Sequence, residues 1–299
     1  MIRYALAVAA LLACGPLQVE AADPGWPIPE GLKTVTANGY PMAYQEAGTG
    51  PPVVLVHGSL SDYRVWRLQV PELAKTNRVI AVSLRHYYPE RWDGRGEDFS
   101  VTQHAHDVAA FIRGMQLGKV HLVGHSRGGA VVLNTARHHP DVIRTLTLLD
   151  ASGLESLLVD SPENQRLATE GMAIRKALKE NLASGDLEKA AREFINAVSP
   201  GSWEKFSPQG KQVVLDNIGT GVVVEGRPTL TCEQIREFAF PIFLMTGEKS
   251  PKRYGEMFTA MRGCSKAPEP AVVPKAGHIM QLQNPSAFNL ALKEFLASH

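Results

Sequence analysis

The segment of this chain best suited to chemistry is Gly124-His125-Ser126-Arg127-Gly128. It follows Val120-His121-Leu122-Val123, an apolar run of strand length, and it opens a helical pattern from Arg127 to His138. A serine on so tight a strand-to-helix turn has its hydroxyl lifted clear of the sheet, on a strained backbone. Small residues must flank it because neighbouring backbone passes close by. The hydroxyl also stands at a helix N-terminus, where backbone N–H groups point outward and favour negative charge. Gly-x-Ser-x-Gly alone is a common pattern. The strand before it and the helix after it make Ser126 a predicted nucleophile.

The elements that must position this serine are legible as buried runs. Val53-Val54-Leu55-Val56, Val79-Ile80-Ala81-Val82, Leu146-Thr147-Leu148-Leu149 and Ile242-Phe243-Leu244-Met245 join Val120–Val123 as strands buried on both faces. Helical patterns separate them over Asp62–Ala74, Val101–Met115, Arg127–His138 and Asn284–Leu296. Buried strands alternating with helices predict an α/β fold with a mostly parallel sheet covered on both faces. Residues 33–36 and 41–46 alternate in polarity and predict an antiparallel edge hairpin. From about Leu154 to Glu237 this rhythm stops. Helical segments such as Asn164–Leu182 and Asp186–Val198 appear with no buried strand, which predicts a helical cap over 154–237 on a core of 23–153 and 238–299.

With Val56-His57-Gly58-Ser59 after the first buried strand and Ala276-Gly277-His278 near the C-terminus, the serine segment resembles the α/β-hydrolase superfamily. The resemblance runs from about Thr34 to Leu296, strong in the core and weak across 154–237. It implies a Ser–acid–His triad in that chain order, an oxyanion hole from the His-Gly loop, and a lid. His278 matches the position of the family's general base, where an imidazole titrating near neutrality suits proton transfer. The oxyanion hole maps onto the backbone N–H groups of Ser59 and Arg127. The Arg127 side chain is expected in a structural ion pair, with a lid carboxylate or the substrate as alternatives. His57 is expected to brace its loop and His125 to turn away into packing, while His86, His104, His106, His138 and His139 read as solvated or structural.

The acid departs from the family pattern. Gly247-Glu248-Lys249-Ser250 puts Ser250 where relatives often carry aspartate, and a serine cannot supply the charge that steadies an imidazolium. Asp150, at the end of Leu148-Leu149-Asp150, is the favoured substitute because a strand's C-terminal end faces the active-site edge; Glu248 is the alternative. A second departure is Ser83-Leu84-Arg85-His86-Tyr87-Tyr88, whose aromatic loop through Trp92 is expected to shape the substrate entrance.

Composition bounds the rest. In 299 residues, 31 Lys+Arg face 30 Asp+Glu, so the near-zero net charge of +1 gives no electrostatic reason to expect nucleic acid as a partner. No cofactor or metal is called for, and the expected partner is a small-molecule acyl substrate. Residues 1–22 read as a secretory signal peptide, with Arg3 followed by an apolar run too short for a permanent membrane span. Export to a bacterial periplasm or medium is therefore expected. Leu11-Leu12-Ala13-Cys14-Gly15 also resembles a lipobox, which would leave the chain anchored through Cys14. Cys232 and Cys264 would remain, either paired or as two buried thiols. The function expected is acyl hydrolysis of an ester or lactone through an acyl-enzyme. A slow-turnover sensing protein and a carbon–carbon-bond hydrolase or lyase are the alternatives, and no motif in the cap names a substrate.

Overall fold

The computed structural model describes residues 24–222 and 229–299. The expected leader over 1–22 and Cys14 lie outside them. Eight strands form one sheet in the order β1-β2-β4-β3-β5-β6-β7-β8. They are β1 (Lys33–Ala37), β2 (Tyr40–Ala47), β3 (Pro52–Val56), β4 (Arg78–Val82), β5 (Val120–His125), β6 (Ile143–Leu149), β7 (Ile242–Gly247) and β8 (Ala271–Val273). Strands β3 to β8 are parallel. The predicted hairpin β1–β2 is antiparallel and joins the sheet along β4.

The two-residue period of the strands divides the core. Val54 and Val56 of β3 face the cluster under the Val101–Gly114, Arg127–His138 and Lys252–Cys264 helices, while Val53 and Leu55 face the one under Pro285–Ala297. All four are fully buried, each worth about 1.5–3 kcal/mol against exposure. This is why the strands read as continuous apolar runs rather than alternating ones.

Two expectations need correction. The helix predicted over Asp62–Ala74 is a 3-10 turn at Tyr63–Trp66 followed by a short helix at Val70–Leu73. Pro71 has no N–H to continue a helix, and its ring would crowd the carbonyl of Arg67. The aromatic loop after β4 packs inward instead of lining an entrance: Tyr87 is buried, His86 stacks on Trp92 and Trp92 on Phe99.

Between β6 and β7 the chain forms the predicted helical insertion, including Pro162–Ala183, Leu187–Val198 and Pro208–Asp216. Its buried residues, Leu178, Ile195, Trp203 and Val214 among them, share one cluster with Leu60 and Ile279 of the core. Polar anchors fix it further. Asn217 donates to Asp62 at 2.6 Å and accepts the Tyr88 N–H at 2.8 Å, while Arg64 bridges Asp62 and Asp216. Cys232 and Cys264 form a disulfide with Cα atoms 4.9 Å apart and a sequence separation of 32. A loop of that length restricts the unfolded chain by about 3–4 kcal/mol in the chain-entropy account. No helix among the described residues is long and apolar enough to cross a membrane.

Candidate active site

Ser126 stands between the end of β5 and the Arg127–His138 helix with φ 54° and ψ −118°. Such a conformation costs on the order of 1–3 kcal/mol and persists only where its surroundings enforce it. Here the Ser126 N–H donates to the Leu149 carbonyl at 3.0 Å, and its own carbonyl accepts from Gly129 and Ser152. The flanking glycines are obligatory. A Cβ on Gly124 would lie 2.5 Å from the Gly128 carbonyl oxygen, and one on Gly128 would collide with the carbonyls of His57 and Val56.

His278 lies in the loop between β8 and the Met280–Gln283 helix and is 3% exposed. Its Nδ1 is 3.2 Å from Oδ2 of Asp150, which follows the last residue of β6 and is fully buried. The end of β7 and the loop after it complete the carboxylate's surroundings. Thr246 donates to Oδ1 at 2.7 Å and Ser250 to Oδ2 at 2.5 Å. Ser250, at the place where an acid was missing, thus supplies a hydrogen bond to the acid on the neighbouring strand. Glu248 is exposed and turns elsewhere, accepting the Lys275 N–H at 2.6 Å. Of the two candidate carboxylates, Asp150 is the one that reaches His278.

Sequence reasoning missed the packing around the imidazole. The Tyr254 ring stacks on His278 at 4.7 Å and 7°, with its hydroxyl 3.4 Å from Nε2. His125 does not simply turn into packing: it lies against the His278 ring at 4.8 Å, its Nε2 2.8 Å from the His278 carbonyl. Gln283 accepts the Gly277 N–H and donates to Ser199 and Ser202 of the cap, tying the His278 loop to the insertion. The spacing Tyr254, Met257, Phe258, Met261 marks a helical buried face, so Tyr254 was findable as a core residue though not as a partner of His278.

Ser59, Ser126 and His278 line one cavity of about 600 Å³ between core and cap, with Phe194, Ile195 and Phe206 among its apolar walls. Residues 83–92 do not line it. Arg127 presents its backbone at the helix start, while its side chain turns inward to donate to His104 at 2.9 Å and to lie over Phe99. Both contacts are structural, to an imidazole and an aromatic face, and neither is the ion pair expected. His57 braces its loop as expected: its Nε2 accepts the Leu84 N–H and its Nδ1 lies 2.8 Å from the Gly58 carbonyl.

Burial keeps several of these imidazoles neutral, lowering His57 and His121 to about 4 and His125 to about 3. The unfolded chain would take up the same protons near pH 6.5, so below that it binds more protons than the folded one. Stability from this source is complete above pH 6.5 and falls as the pH drops toward 4. The urea midpoint is therefore expected to be lower at pH 5 than at pH 7.5. A midpoint that held or rose at pH 5 would contradict the neutral buried imidazoles.

The alpha/beta hydrolase family profile matches residues 53–291. The chain is 26% identical over 286 residues to the 2-hydroxy-6-oxo-2,4-heptadienoate hydrolase of Pseudomonas putida, covering 89% of this chain and 96% of that one. It is 24% identical to a putative 2-succinyl-6-hydroxy-2,4-cyclohexadiene-1-carboxylate synthase of Bacillus subtilis, over 87% and 95% of the two chains. Among solved structures, a thermophilic esterase from Thermogutta terrifontis superposes with a TM-score of 0.70 at 26% identity, over 89% of this chain and 97% of that one. With a doubly covered parallel sheet, a strained serine at the end of β5 and a match across most of its length, the chain belongs to the alpha/beta hydrolase family and is a hydrolase of that type.

Proposed function

We propose that the protein is a serine hydrolase that cleaves a carboxylic ester, lactone or related acyl bond through an acyl-enzyme. The observation that carries this reading is the 3.2 Å contact of buried Asp150 with His278, which lines the same cavity as Ser126 in its strained turn. In the proposed reaction, Ser126 Oγ attacks the acyl carbon as His278 Nε2 takes the hydroxyl proton. Asp150 accepts the Nδ1–H, holds the tautomer and stabilises the imidazolium. The tetrahedral oxyanion is met by the N–H groups of Ser59 and Arg127, where losing one such donor typically costs about 3–4 kcal/mol of barrier. His278 then hands its proton to the leaving oxygen. Water repeats the sequence on the acyl-enzyme, releasing the acid and restoring Ser126.

The likeness to the Pseudomonas putida oxo-dienoate hydrolase favours a second reading, hydrolysis of a carbon–carbon bond beside a carbonyl by the same groups. A fluorophosphonate probe is expected to add once, at Ser126, and to abolish turnover of p-nitrophenyl butyrate in proportion to labelling. Peptide mass mapping locates the adduct. Protein that turns over the ester yet is never labelled at Ser126 would sink the assignment. Labelled protein that cleaves a 1,5-diketone far faster than any ester would favour the second reading, and negligible turnover of both would favour a sensor.

A further inference from the structure

The charged residues that line the cavity are all of one sign. Arg67, Lys205, Lys249 and Lys275 line it, and no aspartate or glutamate does so among the described residues. The chain as a whole is balanced, with 31 basic and 30 acidic residues, so this asymmetry is local. The four come from separate segments: the turn after Tyr63–Trp66, the Ser202–Lys205 cap helix, the loop after β7 and the loop before His278. The last two loops are tied together by the Lys249 N–H donating to the Ala276 carbonyl at 2.8 Å, which brings Lys249 beside the loop that carries Lys275 and His278. All four side chains are exposed, placing them where the cavity meets solvent, and none forms an ion pair with a described residue. The nearest acids in sequence do not line the cavity: Glu204 accepts from Asn196, and Glu248 accepts the Lys275 backbone N–H without forming an ion pair with either lysine among the described residues. The walls below are apolar, from Phe194, Ile195, Phe206 and Val214.

We infer that the substrate carries an anionic group away from its scissile carbonyl, seated at this basic mouth, with an apolar body between the two. This inference rests on the acyl-hydrolase reading above. A cleft lined by one sign of charge concentrates oppositely charged ligands and speeds their capture. Because the cations are exposed, the effect weakens with salt. Lysines act as point charges on flexible stems, so they select an anion without demanding one shape of it.

The test uses two matched ester pairs. Mono-p-nitrophenyl suberate is compared with its methyl ester, placing the charge on the acyl side. The octanoate ester of 4-hydroxyphenylacetic acid is compared with that of its methyl ester, placing it on the leaving-group side. In at least one pair, kcat/KM for the anionic ester is expected to exceed that for the neutral one by about tenfold at low salt, shrinking toward parity near about 0.5 M salt. In the combined Lys205→Gln, Lys249→Gln, Lys275→Gln variant the same ratio is expected to fall toward one. Neutral esters preferred or equal in both pairs at low salt would overturn the inference while leaving the hydrolase reading intact. No cleavage of any of the four, with no fluorophosphonate label at Ser126, would instead remove the reading on which it rests.

Discussion

Ser126→Ala is expected to lower turnover of an activated ester by up to about a millionfold, the loss seen when a serine nucleophile is removed from a comparable site. Its thermal midpoint is expected to stay near that of the parent. Both halves follow from the turn. The conformation at φ 54°, ψ −118° strains alanine as much as serine, because the penalty comes from Cβ and not from the hydroxyl. The backbone bonds that hold the turn, from Ser126 N–H to Leu149 and from Gly129 and Ser152 to the Ser126 carbonyl, do not involve the side chain. A glycine at 126 would relieve the strain and raise the midpoint while abolishing activity equally. Residual activity should be counted against titrated active sites, since traces of parent enzyme would mask so large a loss. An alanine variant keeping more than about one part in a hundred of the parental rate, against the much larger loss expected for a nucleophile, would show that some other group attacks.

The strands that place this serine were legible because each is a short apolar run buried on both faces, and the Arg127–His138 helix reads from its sequence to the residue. β8 was not legible. Three residues long, with Val272 58% exposed, it has neither the length nor the pattern of its neighbours and exists because β7 offers it a free edge. The Lys252–Cys264 helix carries its period in Tyr254, Met257, Phe258 and Met261, but Pro251 makes no side-chain cap to announce its start. In the site, Ser126 and His278 were legible because each stands in a local motif. The carboxylate that meets His278 was legible only as a pair of alternatives. Which carboxylate meets an imidazole 128 residues away depends on β6 lying beside β7, and that adjacency is a property of the sheet order. The same holds for Tyr254 and Gln283, whose contacts with the His278 loop come from packing and from the cap. The disulfide likewise stayed open until the Cys232–Arg236 and Lys252–Cys264 helices were side by side.

Asp150→Asn is expected to lower turnover by at least about a hundredfold, and by up to about ten thousandfold if the acid contributes here as in a comparable triad. The carboxylate is buried among three donors: Thr246 on Oδ1, and Ser250 and His278 Nδ1 on Oδ2. An amide keeps the shape but must turn its NH2 toward one of these donors. If it faces His278, the imidazole can answer only with an unprotonated Nδ1, which leaves a proton on Nε2 and removes the lone pair that should take the proton of Ser126. If it faces Thr246, the tautomer survives but the charge that stabilises the imidazolium is gone. Ser250 can rotate its hydroxyl, since its Oγ already accepts the Gly247 N–H, so the fold should bear the change better than the chemistry does. Ser250→Ala removes one neutral hydrogen bond from the same carboxylate and should cost far less, about tenfold or below. Glu248→Gln should stay near the parent, because that side chain is exposed and a glutamine oxygen can still accept the Lys275 N–H. A kcat series on one activated ester, with thermal midpoints measured alongside, separates these outcomes. If Glu248→Gln were the crippled variant and Asp150→Asn stayed near the parent, the acid would be Glu248 and the buried contact between Asp150 and His278 would be structural only.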